Sequence, residues 1–152
     1  MSRRNFPISM AQKKRVLVVD DDIEVPRLIR LMLKREKLEV IEALCAEEAL
    51  DILENESVSL VISDLKMPGM SGVNFLAELR EWDAAIPVIF VTGYGKEKDW
   101  DRVFRYNASA IIEKPFRRET ILKAVRKALE PKPDGKASPS AFSKASSDAY
   151  WD

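Results

Sequence analysis

The residues able to do chemistry sit at the ends of short apolar runs. Asp20-Asp21-Asp22 follows Val16 to Val19, Asp64 lies just beyond Leu60 to Ile62, Thr92 follows Val88 to Val91, and Glu113-Lys114-Pro115 follows Ala110 to Ile112. Carboxylates brought together repel one another, and the usual resolution is a hard cation. Mg²⁺ takes one or two carboxylates, a few waters and a phosphate oxygen. A lysine and a hydroxyl beside such a site suit phosphoryl transfer, in which the equatorial oxygens must be neutralised from several sides. The chain has no histidine. General-base work therefore falls to carboxylates or lysine, and the plausible nucleophile is a carboxylate that forms an acyl phosphate.

These residues converge only if the runs that carry them lie side by side. Val16 to Val19 is a β-branched run typical of a strand buried on both faces of a parallel sheet. A helix follows, with Val25, Leu28, Ile29, Met32 and Leu33 at helical spacing and Pro26 within its first turn. Leu38 to Ala43 reads as a less apolar strand near an edge, and Glu47 to Glu54 as a helix with acidic residues at its positive end. Leu60 to Ile62 is the third strand, and Met67 to Gly72 is a loop that feeds a third helix with Ser71 as its N-cap. Val88 to Val91 is the fourth strand, Trp100, Val103 and Phe104 mark the fourth helix, and Ala110 to Ile112 is the fifth strand. The last helix runs from about Arg117 to Glu130. Five strands alternating with five helices predict a doubly wound α/β sheet, which binds ligands beyond the carboxyl ends of its strands.

With 152 residues, the chain has room for one ordinary domain and little more. Basic and acidic groups number 25 each, so no electrostatic argument favours direct nucleic-acid binding. No apolar run approaches the roughly 20 residues of a membrane span, and Met1 to Arg15 has no apolar block of a secretory signal. Cys45 is alone, which rules out an internal disulfide and suits a reducing cytoplasm. Residues 1 to 14 read as a flexible basic arm and 15 to 130 as the domain. Residues 131 to 152, mostly Ser, Ala and Pro, read as a flexible tail or linker, with Tyr150-Trp151 a stray aromatic pair or a small docking motif.

The segments Val16-Leu-Val-Val-Asp-Asp-Asp22, Leu60-Val-Ile-Ser-Asp-Leu-Lys-Met-Pro-Gly-Met-Ser-Gly72, Val88-Ile-Phe-Val-Thr-Gly93 and Glu113-Lys-Pro-Phe116 resemble the receiver domain of bacterial two-component response regulators. Their order and spacing agree with that family over residues 15 to 130. The resemblance implies a flavodoxin-like, five-stranded parallel sheet of order 2-1-3-4-5 with five flanking helices. It also implies that Asp64 accepts a phosphoryl group from the phosphohistidine of a sensor histidine kinase or a histidine phosphotransfer protein. Asp20, Asp21, Asp64 and the backbone carbonyl of Lys66 would hold Mg²⁺, or another divalent cation such as Mn²⁺. Thr92 and Lys114 would contact the phosphoryl group, and the Lys114–Pro115 bond would be cis. The output would be a protein contact through helix four, strand five and helix five, a surface that also serves homodimers. No residues remain for an output domain, so the chain reads as a stand-alone receiver or the amino-terminal piece of a longer regulator.

Two positions depart from the family pattern. Ile111 stands where many receivers carry the Tyr or Phe that turns inward as the threonine moves, which leaves Thr92 as the conventional half of the switch. Asn107 stands where Gly often ends the fourth helix, and Asn tolerates a left-handed cap. Lys66 and Tyr94 occupy positions that tune phosphoryl lifetime in the family.

Plainer readings compete at several residues. Asp22 suits a helix N-cap better than a metal ligand, Thr92 to Gly95 lacks the ending of a nucleotide-binding loop, and Cys45 has no motif around it. Two other functions compete with the switch. A small Mg²⁺-dependent phosphatase of the haloacid dehalogenase class would use Asp20-x-Asp22, Thr92 and Lys114. It would leave the Asp64 to Gly69 segment without a role. A pseudo-receiver would bind partners without phosphorylation, although every key position carries a competent side chain.

Overall fold

The computed structural model describes residues 13–82, 85–93, 97–131, 143–146 and 149–151. Five parallel strands, β1 (Lys14–Val19), β2 (Leu38–Ala43), β3 (Leu60–Ser63), β4 (Val88–Thr92) and β5 (Ala110–Glu113), alternate with five helices. The helices are α1 (Glu24–Met32), α2 (Ala46–Asn55), α3 (Gly72–Trp82), α4 (Glu97–Arg105) and α5 (Arg118–Leu129). The parallel strands lie in the expected order β2-β1-β3-β4-β5. β2 occupies an edge, as its lower apolar content foretold.

Strand alternation divides the core into two layers. Leu17, Val19, Val61, Phe90 and Ile111 face one side of the sheet, where Phe75, Leu76 and Leu79 of α3 and Val103 of α4 pack. Val16, Val18, Ile62, Ile89 and Ile112 face the other, against Ile29 of α1 and Ile121 and Val125 of α5. Burial on both faces explains why the central strands are continuously apolar instead of alternating. Among the described residues, no helix is long and apolar enough to cross a membrane.

Several local expectations hold. The hydroxyl of Ser71 accepts the amide of Asn74 at 3.2 Å, capping α3. Glu48 reaches back to accept the amide of Leu44 at 2.9 Å, so the acidic start of α2 serves as part of its cap. Asn107 takes φ 64° after α4, and the Lys114–Pro115 peptide is cis. Asp22 differs slightly from its expected role. Its carboxylate accepts the amide of Glu24 at 3.0 Å, but Ile23 is the residue at the helix boundary.

The ends of the chain depart further. The first strand begins at Lys14, two residues before the apolar run, because its pairing with β2 continues outward through Lys14 and Arg15. Most of the expected basic arm, residues 1–12, lies outside the described residues, as does Tyr94. The expected flexible tail over residues 131 to 152 needs correction. It contributes two short strands, β6 (Ser143–Ser146) and β7 (Ala149–Trp151), and the sheet has seven strands in the order β2-β1-β3-β4-β5-β7-β6. Composition argued against order because it counts only side-chain burial. The outer backbone of β5 offers hydrogen bonds that such counting omits.

Candidate functional site

The ladder positions the acidic residues one step beyond their strands. The amide of Asp20 donates to the carbonyl of Ala43 at 3.1 Å, and that of Asp64 donates to Val19 at 3.0 Å. Lys114 is held in the same way from the other side, its amide 2.9 Å from the carbonyl of Thr92. Because β1 and β3 are neighbours, Asp20 and Asp64 meet at one rim of the sheet. Their ligand atoms and that of Asp21 all lie within 4.8 Å of one another.

The cluster spans two environments. Asp20 and Asp64 are buried, whereas Asp21 is exposed. The carboxylate of Asp20 accepts the amide of Asp22 at 2.9 Å, and that of Asp64 accepts the amide of Lys66 at 3.2 Å. The Lys114 ammonium bridges the two, 3.0 Å from Asp20 Oδ2 and 3.1 Å from Asp64 Oδ2. Thr92 is buried at the end of β4, and Ile111 is fully buried in β5.

Burial pushes the Asp20 carboxyl above its ordinary range. The amide of Asp22 and the ammonium of Lys114 oppose that rise, and the negative charge of Asp64 adds to it. Burial alone would lower Lys114, but its hydrogen bond to Asp20 and the charges of Asp64 and Asp20 outweigh it and hold the ammonium above its usual value. The result is a rim where two buried carboxylates share one cation and a third stands exposed beside them. This donor set fits a divalent ion. All three groups are hard oxygens, and an added cation would relieve the repulsion that Lys114 offsets only in part. Asp20, Asp21 and Asp64 are the carboxylates that could hold it.

The sequence motifs contained one residue whose role they did not reveal. Gly72 opens α3, where glycine disfavours helix, and its amide donates to the carbonyl of Leu65 at 2.9 Å. A Cβ there would collide with the carbonyl oxygen of Asp64, lie 2.8 Å from Leu65 Cα and 3.0 Å from the Phe90 ring. The missing side chain lets α3 pack against the backbone that carries Asp64. Gly69 has the other conformational role in this loop, with φ 80°. Arg80 escaped the sequence reading entirely, and it anchors the far end of the same layer. Its guanidinium donates to the carbonyls of Tyr106 (2.8 Å), Ile86 (2.7 Å) and Asn107 (3.1 Å).

Residues 16–126 match the family of the response regulator receiver domain. Nodulation protein W of Bradyrhizobium diazoefficiens is 34% identical over 115 residues, which cover 76% of this chain and 51% of that protein. The transcriptional regulatory protein GlrR of Escherichia coli is also 34% identical over 115 residues, covering 76% of this chain and 26% of its own length. The chain thus spans about half or a quarter of these curated relatives. Among solved structures, a CheY-like response regulator receiver domain protein from Methanospirillum hungatei superposes with a TM-score of 0.74 at 31% identity. The match covers 78% of this chain and 94% of that one. Chemotaxis protein CheY4 of Vibrio cholerae superposes with a TM-score of 0.73 at 28% identity, over 78% of this chain and 100% of that one.

Proposed function

The chain belongs to the response regulator receiver domain family, and from that membership we propose that it is a signalling switch whose phosphoryl acceptor is Asp64. The observation that carries this reading is the bridge from Lys114 to both Asp20 and Asp64, at 3.0 and 3.1 Å. It supports the reading because two buried carboxylates and a lysine ammonium stand together at one sheet rim.

In the proposed reaction, an Asp64 carboxylate oxygen attacks the phosphorus of a phosphohistidine on a partner kinase or phosphotransfer protein. The new O–P bond forms as the P–N bond breaks, and the electron pair returns to the imidazole of the donor. Asp64 needs no general base, because it attacks as an anion. Asp20, Asp21 and Asp64 would hold a Mg²⁺ or Mn²⁺, which when bound would supply charge neutralisation to the phosphoryl oxygens. Lys114, already at hydrogen-bond distance from Asp64, would take one phosphoryl oxygen, and the hydroxyl of Thr92 another.

Phosphorylation would then shift a two-state equilibrium and alter the face formed by α4, β5 and α5. Ile111 would take part through packing alone, since it has neither the hydroxyl nor the ring of the family's usual residue. The output is a protein contact, as a partner or as a copy of the chain, and direct nucleic-acid contact is no part of the proposal. The absence of a disulfide-forming pair and the dependence on a kinase suit the cytoplasm.

The test is incubation with acetyl phosphate and Mg²⁺, followed by intact mass and peptide mapping. A single Mg²⁺-dependent phosphoryl adduct on Asp64, lost in Asp64→Asn, is the expected result. An adduct on Asp20 would indicate phosphatase chemistry instead. No adduct, together with no beryllofluoride binding in the presence of Mg²⁺, would indicate a pseudo-receiver.

A further inference from the structure

β5 is the last of the parallel strands, so its outer backbone would otherwise be an open edge. Just beyond it, the amide of Lys114 donates inward to the carbonyl of Thr92 at 2.9 Å. Successive backbone groups of a strand point in opposite directions, so Ile112 and Ala110 face β4 with Lys114, and the amides and carbonyls of Ile111 and Glu113 face away from it. An unpaired row of this kind is a template for another strand.

In this chain the row is occupied. β7 lies antiparallel to β5, with Ala110 opposite Trp151, Ile111 opposite Tyr150 and Ile112 opposite Ala149. β6 pairs antiparallel with β7 on the outside, Ser143 opposite Trp151 and Ser146 opposite Ala149. The two strands, consecutive in the chain and antiparallel, are thus the arms of a hairpin.

The topology makes this arrangement easy to reach. α5 follows β5 and packs back along the sheet against β3, β4 and β5, which brings its carboxyl end towards the Ala110 end of β5. β6 begins opposite Trp151, the partner of Ala110, at that same end. The end of α5 and the start of β6 therefore lie at one end of the sheet. Belonging to the same chain keeps the hairpin at high effective concentration beside the edge, so few hydrogen bonds suffice.

We infer that the outer edge of β5 is a strand-addition surface whose occupant is segment 143–151 of the same molecule. Main-chain hydrogen bonds supply the attachment, and the side chains of β5 stay in their own core layers. A partner that adds a strand at β5, or packs across that edge, must first displace this hairpin. The inference stands on backbone register and is independent of phosphorylation at Asp64.

Residue-resolved amide exchange on the full chain tests it, comparing wild type with Tyr150→Pro. The proline removes the β7 amide that faces Ile111. The wild-type amide of Ile111 should be protected, and the variant should exchange there about tenfold faster or more. The amides of Ile112, which faces β4, and of core residues such as Leu17 should not change, which shows that the variant remains folded. Free exchange at Ile111 in the wild type, or equal protection in both proteins, would overturn the inference. Light scattering should give a monomer throughout. A wild-type dimer that the proline dissociates would overturn the same-molecule assignment in favour of exchange between two copies.

Discussion

The ammonium of Lys114 lies 3.1 Å from Oδ2 of Asp64, an ion pair between residues fifty positions apart. The same nitrogen holds Asp20 at 3.0 Å. One flexible side chain therefore balances two buried carboxylates, and it stands where a phosphoryl oxygen on Asp64 would need a positive charge. Stability and the proposed chemistry would draw on the same contact.

Removing that charge should affect both. Lys114→Met leaves Asp20 and Asp64 facing each other without their counter-charge, and the partly exposed lysine makes the loss moderate, about 1–2 kcal/mol. Urea unfolding in EDTA should show this loss, and Mg²⁺ should restore part of it. Labelling by acetyl phosphate should slow by about tenfold or more. Unchanged unfolding and unchanged labelling would mean that the ion pair contributes nothing in solution.

Acidity should act through Asp20 in the cation-free protein. Burial holds its pKa above the ordinary 3.8, so the folded state binds this proton more tightly than the unfolded chain does. That contribution to stability is fully present below 3.8 and is lost as pH rises through the folded value. Asp20→Asn carries no charge at any pH. In EDTA it should withstand more urea than wild type at neutral pH, with the gap narrowing as the solution is acidified towards 3.8. A gap independent of pH would assign the effect to packing.

Gly72→Ala should disturb the acceptor from a distance. The new Cβ would meet the backbone of Asp64 and Leu65, which can move only with the strand or with α3. The expected loss is about 1–3 kcal/mol by urea unfolding, with slower acetyl phosphate labelling in the protein that remains folded. Wild-type stability and labelling in this variant would show that the α3 junction yields without cost.

Arg80 should prove structural, with no influence on the reaction. Arg80→Ala removes three charge-assisted bonds to the carbonyls of Ile86, Tyr106 and Asn107, a loss of about 2 kcal/mol after allowance for its exposure. Arg80→Lys should recover less than half, because an ammonium cannot reproduce the guanidinium fork. Labelling of Asp64 should be unaffected in both, measured at a temperature where each is fully folded. A labelling defect would connect the end of α4 to the acceptor.

Much of this protein is legible in one dimension. β-branched runs such as Val16 to Val19 and Val88 to Val91 announce strands, and apolar spacing in α1 and α5 announces helices that cover them. Both signals are local, because a side chain's burial in a two-faced sheet depends on its immediate neighbours along the chain. The placement of Asp20, Asp64, Thr92 and Lys114 at strand ends follows from the same pattern. Parallel strands bring those ends to one rim whatever the details, and the family resemblance supplied the strand order.

Other features depend on parts of the chain that sequence spacing does not relate. The bridge from Lys114 to Asp20 joins positions 94 apart, and Arg80 finds carbonyls 26 and 27 residues away. Gly72 matters because of what lies across from it, since only the packing of α3 on the Asp64 backbone removes the space for a Cβ. The pairing of β7 with β5 is the clearest case. Composition marked residues 131 to 152 as unable to bury enough apolar surface, and that judgement concerns side chains. Backbone hydrogen bonds carry no residue signature, so the open edge of β5 that receives Ala149 to Trp151 exists only once the sheet has formed.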